Sequence, residues 1–261
     1  MKHRLFFDKV PVPRLDDLLP LYEAKEFESS FRSTVALLAY VKRGLLDGIL
    51  KECGFLKEMD LHFEFTVSPP RGRGKASHTD VMARAHDQAL SVEAKWTEGP
   101  SDDVRKWCGG DILSGNKRDV LSGWIQLLQS HSPRALDVDE FMDLPYQMIH
   151  RAASACAAGL RPAMCYLKFH PSHESFTATA DWWHAQLVEF HARLGHPSSF
   201  PFRLATVELA YRPAFLTIAP LPKAVPDTAQ AVTMALSNSE LFEFAEPVMV
   251  SVEGPSRAGT N

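Results

Sequence analysis

The sequence has few cysteines and no long apolar run, and these two shortages exclude several classes of protein. Its 261 residues include four cysteines, and none of them forms a CxxC pair. The sequence therefore carries neither a disulfide framework nor a zinc-ribbon or thioredoxin-type motif, and a reducing compartment is expected. Apolar stretches such as 35–41 fall far short of the ~20 residues that span a bilayer. We expect a cytoplasmic protein with no membrane partner.

The sequence also lacks a charge excess of either sign. The 28 lysines and arginines stand against 32 aspartates and glutamates, for a formal net charge of −4. This balance excludes a small histone-like polyanion binder, but a local basic surface on a nucleic-acid enzyme remains compatible with it. The motifs GxSxG, P-loop and GxGxxG are missing, so an α/β hydrolase, an NTPase and a Rossmann dehydrogenase have no motif support.

What the sequence does contain is the composition and patterning of a globular α/β protein. It is 45% hydrophobic and 23% charged, as is usual for a folded domain. Apolar periodicity predicts helices at 23–53, 119–131, 138–158 and 179–194, and strands at 61–67, 79–85, 89–96, 164–169, 202–211 and 214–219. This order indicates a mixed central β-sheet flanked by helices in one domain, 23–250. Residues 1–22 are expected to be an irregular lead-in and 251–261 a disordered tail.

Three charged residues are brought together by the predicted hairpin 79–96. Asp80 begins one strand, and Glu93 and Lys95 end the next. Alternation along a strand places Glu93 and Lys95 on the same face. With a tight turn near 86–88, antiparallel pairing places Asp80 roughly opposite Glu93. The sequence thus predicts two carboxylates and an ammonium at one end of a hairpin.

This trio suits metal-assisted hydrolysis. Two carboxylates are typical ligands of a hard cation such as Mg²⁺, for which Mn²⁺ can substitute. Such an ion can activate a water and stabilise charge on a phosphodiester, and Lys95 can orient that water or neutralise the charge that develops. The competing interpretation is a surface Glu93–Lys95 pair on an edge strand, which contributes only about 0.2–1 kcal/mol.

Asp80 followed by Glu93-Ala94-Lys95 at the end of an apolar strand resembles the PD-(D/E)XK, or restriction-endonuclease-like, nuclease superfamily. The resemblance covers about 23–170 and implies a restriction-endonuclease-like core: a helix, a three-stranded meander, a helix and a further strand. It also implies that Asp80 and Glu93 are metal ligands and that Lys95 is the catalytic lysine. One residue departs from the motif, since Thr79 stands where the superfamily often has proline.

The same resemblance suggests two supporting positions. The superfamily often has an acid on its first helix, for which Glu28 is the candidate metal ligand, with Glu23 and Glu26 as rivals. Many members also have a polar residue on the helix after the motif strands. Here Gln147 is the candidate for that catalytic role, and Arg151, one turn later on the same face, is a candidate nucleic-acid contact. The alternative is an ordinary solvated helix face in both cases.

The loop 68–78 (SPPRGRGKASH) is a candidate nucleic-acid contact. Its basic residues Arg71, Arg73 and Lys75 are interspersed with glycines and accompanied by no acid. Glycines allow close approach of the backbone, and basic side chains provide the salt-dependent part of DNA binding. Solvated loop charge is the competing interpretation.

The leading expectation is a Mg²⁺-dependent endonuclease that cleaves double-stranded DNA. A homodimer is plausible, because cutting both strands with one site per chain requires two chains. Two alternatives stay open. One is a catalytically silent nucleic-acid-binding or scaffold protein with a nuclease-like fold, and the other is a metal-dependent hydrolase of a different phosphoester.

Overall fold

A computed structural model describes residues 3–56, 58–110, 112–171 and 177–252. Within these ranges the chain forms nine strands, eight α-helices and three short 3-10 helices. The strands are β1 (Arg4–Phe7), β2 (Val10–Val12), β3 (Asp60–Val67), β4 (Ser77–Ala85), β5 (Gln88–Lys95), β6 (Arg161–His170), β7 (Phe202–Tyr211), β8 (Phe242–Phe244) and β9 (Val248–Val252). The helices are α1 (Ser33–Lys42), α2 (Leu46–Glu52), α3 (Val104–Cys108), α4 (Gly115–Gln129), α5 (Tyr146–Ala158), α6 (Ala180–Arg193), α7 (Pro213–Ile218) and α8 (Pro226–Asn238). The 3-10 helices are Leu15–Leu21, Ala24–Phe27 and Val138–Phe141.

The nine strands form one mixed sheet in the order β2-β1-β3-β4-β5-β6-β7-β8, with β9 paired to β7 beside β8. β3, β4 and β5 run antiparallel to one another, whereas β6 and β7 continue parallel to β5. The expected α/β architecture with a mixed central sheet and flanking helices is therefore confirmed.

Both faces of the sheet are covered, so its central strands are buried. One hydrophobic cluster joins the sheet to α1, α2, α7 and α8, and the other joins it to α4, α5 and α6. α5 carries the small residues Ala152, Ala153 and Ala155, all fully buried, and a helix with small side chains can approach a sheet closely. This close packing is what brings the polar side chains of α5 to the end of β5.

No helix in the described ranges is long and apolar enough to cross a membrane. The longest of them, α4, has 15 residues, fewer than the ~20 that a bilayer requires.

The prediction of one helix over 23–53 is wrong. The segment is a 3-10 helix and two α-helices, and α1 ends at Lys42 before Gly44, which adopts a φ of +70°. A left-handed residue is a typical helix stop, and apolar spacing alone does not reveal it. The predicted helix 138–158 is likewise divided, because α5 begins only after Pro145.

Two further predictions also fail. The lead-in 1–22 is not irregular, since β1 pairs parallel with β3 and antiparallel with β2 at the edge of the sheet. The predicted strand 214–219 is helix α7, which begins at Pro213, a residue whose fixed φ suits the first turn of a helix. Within the predicted tail, 251–252 belong to β9, and 253–261 lie outside the described residues.

We expect Trp96, directly after β5, to be a main contributor to the stability of the sheet. It is fully buried and contacts Phe31, Phe215 and Phe242, with ring centroids 5.4–5.9 Å away. Trp96→Ala should lower the free energy of unfolding by about 3–5 kcal/mol, because the cavity removes these contacts. Urea denaturation measures the loss. Leu216→Ala on the exposed side of α7 is the control and should change it by less than about 0.5 kcal/mol; equal effects of the two variants would contradict this role.

Candidate active site

The β4–β5 hairpin brings Asp80 and Glu93 together. Its strands are joined by the turn His86-Asp87 and pair from Ala85–Gln88 through Val81–Val92. Asp80 and Glu93 occupy the next position on each strand, as the spacing predicts. The Oδ2 atom of Asp80 accepts a hydrogen bond of 2.7 Å from the backbone N–H of Ala94, which fixes this carboxylate at the end of the hairpin.

Glu93 and Lys95 form a buried ion pair on one face of β5. The Lys95 ammonium donates a hydrogen bond of 2.8 Å to Oε1 of Glu93, and the two residues are 7% and 1% exposed. Burial raises the pKa of Glu93, but the charges of Arg151 and Lys95 outweigh it and hold that pKa below its usual value. Burial lowers the pKa of Lys95, and the neighbouring acids more than offset this. These directions favour an ionised Glu93 beside a protonated Lys95.

Gln147, in the first turn of α5, connects this pair to the rest of the site. Its Nε2 donates to Oε1 of Glu93 at 2.7 Å, and its Oε1 accepts from Lys95 at 2.9 Å. The hydroxyl of Ser101 donates to the same amide oxygen at 2.9 Å. The amide of Gln147 is thereby fixed in orientation, and its predicted proximity to the site is found.

Arg151 lies one turn further along α5 and holds the other oxygen of Glu93. Its Nε donates to Oε2 of Glu93 at 2.5 Å, and its Nη1 donates to the hydroxyl of Ser77 at 2.9 Å. The residue is only 7% exposed. Arg151 therefore orients and neutralises Glu93 at the wall of the cleft, and the predicted nucleic-acid contact of Arg151 stays a prediction.

Glu64 on β3 is a third acid in the row, and the sequence prediction missed it. On β3 and β4, Phe63 pairs with Val81 and Phe65 with Thr79, so Glu64 lies between these pairs, at the level of Asp80. Burial, followed by the charge of Glu26, raises the pKa of Glu64 to about 7. Burial and the charge of Glu93 raise the pKa of Asp80 well above its usual value. Acids thus outnumber the cations that face them.

Glu98 anchors the helical side of the site. Its Oε1 accepts a hydrogen bond of 3.0 Å from the backbone N–H of Ser33, the first residue of α1. Its Oε2 accepts one of 2.7 Å from the backbone N–H of Trp96. Burial raises the pKa of Glu98, but the charge of Lys95 and these hydrogen bonds hold it below its usual value. An ionised Glu98 therefore ties the start of α1 to the end of β5.

Of the three acids considered for the first helix, Glu23 and Glu26 lie at the cleft and Glu28 does not. Glu23 and Glu26 line the same cleft as Asp80, whereas Glu28 lines a neighbouring pocket beside Lys223. The reason is that residues 24–27 form a 3-10 helix, so the face predicted from α-helical spacing does not apply. Glu26 accepts a hydrogen bond of 3.3 Å from the hydroxyl of Thr34.

The basic residues 71, 73 and 75 lie on a loop that packs against α4. Arg71, Arg73 and Lys75 are all exposed. Lys75 reaches the cleft, while Arg71 faces Asp119 across 3.9 Å. A Cβ on Gly123 of α4 would come within 2.8 Å of the Arg71 backbone nitrogen. The loop is therefore held in place by close packing instead of extending freely into solvent.

These side chains line a cleft of about 660 Å³. Within the described residues, no group of three or more His, Cys, Asp or Glu side chains is arranged to hold a metal ion. A carboxylate offers about four acceptor positions, and the three donors to Glu93 leave one on Oε2. Mg²⁺ needs only one or two carboxylates and completes its shell with water. The oxygen donors of Asp80 and Glu93, with their excess of negative charge, fit such an ion.

A family model described as a domain of unknown function (DUF6946) matches residues 11–209. The chain belongs to this family. The matched range contains Glu64, Asp80, Glu93 and Lys95, together with Gln147 on α5. The family's description names no activity. Searches of curated proteins and of solved structures found no match.

Glu64 and Ser101 are site residues that sequence reasoning did not identify. A signal for Glu64 exists, because a charged residue inside the apolar strand 61–67 is unusual unless it serves a purpose. Ser101 lies in a loop after β5 and contacts Gln147 only through the tertiary fold, so its spacing offers no signal.

We expect Glu64 to cost stability at neutral pH. Its pKa is about 7 in the folded protein and about 4.3 when unfolded, so the folded state binds more protons between these values and loses stability as the pH rises through them. Without divalent metal, Glu64→Gln should raise the free energy of unfolding at pH 8 by about 2–3 kcal/mol and leave it nearly unchanged at pH 4.

Denaturant titrations at pH 4 to 8 measure this difference. Glu52→Gln, on the exposed face of α2, is the matched control and should follow the parent at every pH. Parallel pH profiles for Glu64→Gln and the parent would show that Glu64 titrates normally.

Proposed function

We propose that this protein is a divalent-metal-dependent endonuclease that hydrolyses phosphodiester bonds in DNA. The observation that carries the proposal is the hydrogen-bonded group Glu93–Lys95–Gln147 beside Asp80 in an open cleft. Keeping a lysine and a glutamate charged inside the protein costs free energy, because both charges lose their hydration. Buried, electrostatically perturbed groups of this kind are characteristic of catalytic sites.

Each residue has a distinct role in this reaction. Asp80 and Glu93 would hold Mg²⁺ or Mn²⁺, which supplies an activated water and a positive charge on the phosphate oxygens. Lys95, kept protonated by its acidic neighbours, donates a hydrogen bond to the attacking water or to a phosphate oxygen. Gln147 and Arg151 orient Lys95 and Glu93. The water oxygen would bond to phosphorus, the bond from phosphorus to one bridging oxygen would break, and that oxygen would leave as a hydroxyl with the proton that the water gives up.

The topology supports the same proposal. The chain has helices α1 and α2, the antiparallel meander β3-β4-β5, then α5 and the parallel strand β6. Apart from the additional elements β1, β2, α3 and α4, this order agrees with the one that the resemblance to the PD-(D/E)XK nucleases implies. Asp80, Glu93 and Lys95 lie on the second and third strands of the meander.

Cleavage of labelled DNA with Mg²⁺ or Mn²⁺ tests the proposal. The parent should cut only with metal, and Asp80→Ala or Lys95→Ala should lower the rate at least about 100-fold, because each removes charge that stabilises the transition state. Lys51→Ala, on exposed α2, is the control and should cut like the parent. Circular dichroism verifies that each variant is folded.

Two results contradict the proposal. If Asp80→Ala and Lys95→Ala cut at the parent's rate, the activity does not come from this site. If the parent binds DNA in a salt-dependent manner but does not cleave it with any divalent metal, the chain is a catalytically silent nucleic-acid-binding protein.

A further inference from the structure

A second pocket lies next to the carboxylate cleft and has the opposite character. Its volume is about 480 Å³, and Lys75 and Ala76 line both cavities. Among the described residues that line it none is acidic, and those that carry the argument are Arg73, Trp107, Lys117, Trp124, Tyr146 and His150. The volume lies within the range of small-molecule sites.

The aromatic residues form a stacked and well-fixed wall. The rings of Trp107 and Tyr146 are nearly parallel, with centroids 4.0 Å apart and 10° between their planes. The indole N–H of Trp124 donates a hydrogen bond of 3.1 Å to the hydroxyl of Tyr146, and Trp124 itself is fully buried. Because the rings of Trp107 and Tyr146 each have one face against the other, a further flat ring would extend the stack at an outer face.

The basic residues form a rim at the same pocket. Arg73, Lys75 and Lys117 are all exposed, and the Lys117 ammonium lies 5.6 Å from the centre of the Trp107 ring. The side chain of Asn116 fixes the loop at Arg73. It accepts a hydrogen bond of 2.6 Å from the backbone N–H of Arg73 and donates one of 2.7 Å to the backbone carbonyl of Arg73. The rim is thereby positioned before any ligand arrives.

The pocket and the cleft are built by the same elements. Tyr146 and His150 of α5 line the pocket, while their neighbours Gln147 and Arg151 line the cleft. The hydroxyl of Ser77 contacts both sides, since it lies 2.8 Å from Nδ1 of His150 and accepts from Arg151 at 2.9 Å. The pocket and the cleft therefore adjoin each other through α5 and Ser77.

We propose that this pocket binds one nucleotide, with its base against the Trp107–Tyr146 wall and its phosphate at the basic rim. Stacking on aromatic rings needs an unpaired base, and a rim of cationic side chains favours an anion. The inference rests on the proposed function in one respect: when the nucleotide is part of a strand, the adjacent phosphate reaches the carboxylate cleft. The preferred substrate then has an unpaired nucleotide, in a single strand or flipped out of a duplex.

Binding experiments without catalysis test the pocket. In the Asp80→Asn background with EDTA, the affinity for a fluorescent single-stranded 12-mer and for the same sequence as a full duplex is measured by anisotropy. The single strand should bind at least about 10-fold more tightly. Trp107→Leu should weaken single-strand binding about 10-fold, the effect of one lost base stack, and leave duplex binding unchanged. Lys117→Gln, on an exposed residue, should weaken it too.

Titration with dAMP and with inorganic phosphate shows whether the natural ligand is a nucleic-acid strand or a free nucleotide. If a strand is the natural ligand, dAMP binds more weakly than the 12-mer but more tightly than phosphate, whereas equal affinity for dAMP and the 12-mer identifies a free nucleotide. Lys51→Gln is the control and should match the parent.

The proposal is overturned if the duplex binds as well as the single strand, or if Trp107→Leu and Lys117→Gln both bind like the parent. The binding experiments and the cleavage assay fail independently. Binding to the pocket without cleavage in the separate assay would refute only the proposed function. Metal-dependent cleavage by a protein whose binding is unaffected by Trp107→Leu would refute only the pocket.

Discussion

The buried carboxylate of Glu93 is the group on which the geometry of the cleft depends. Three donors from two elements converge on it: Lys95 from its own strand, and Gln147 and Arg151 from α5. A buried charge is tolerated only when it is paired and hydrogen-bonded, and the loss of one partner costs about 3–5 kcal/mol. The packing of α5 on the sheet and the position of Lys95 are thus coupled through a single side chain.

The charges of the molecule are separated into two adjoining cavities. The cleft gathers Glu64, Asp80 and Glu93, and burial together with the charges of neighbouring acids raises the pKa of Asp80 and Glu64. The lining of the aromatic pocket beside it includes the basic residues Arg73, Lys75 and Lys117 and, among the described residues, no acid. A formal net charge of −4 conceals this separation. In our proposal, a divalent cation offsets the negative charge of the cleft, and a nucleic-acid strand extends from the basic pocket to that cation.

The local part of the site was predictable from the sequence, because alternation along a strand and a two-residue turn are enough to place Asp80, Glu93 and Lys95. The rest depends on long-range packing. Glu64 reaches the row only through the register between β3 and β4. The position of Glu28 outside the cleft depends on a 3-10 helix that apolar spacing does not reveal. The sheet order was equally out of reach, since the N-terminal strands join its edge through parallel pairing with β3.

The central claim is that Asp80 and Glu93 jointly hold a divalent cation. A crystal structure of the protein with millimolar Mn²⁺, recorded at a wavelength where manganese scatters anomalously, tests it most directly. We expect an anomalous peak for a manganese ion that lies about 2.1–2.2 Å from an oxygen of each carboxylate, a distance taken from other small divalent ions. Glu93 would keep its hydrogen bond to Lys95 in that structure. A fully soaked crystal without a peak between Asp80 and Glu93, or with manganese bound only elsewhere, would contradict the account.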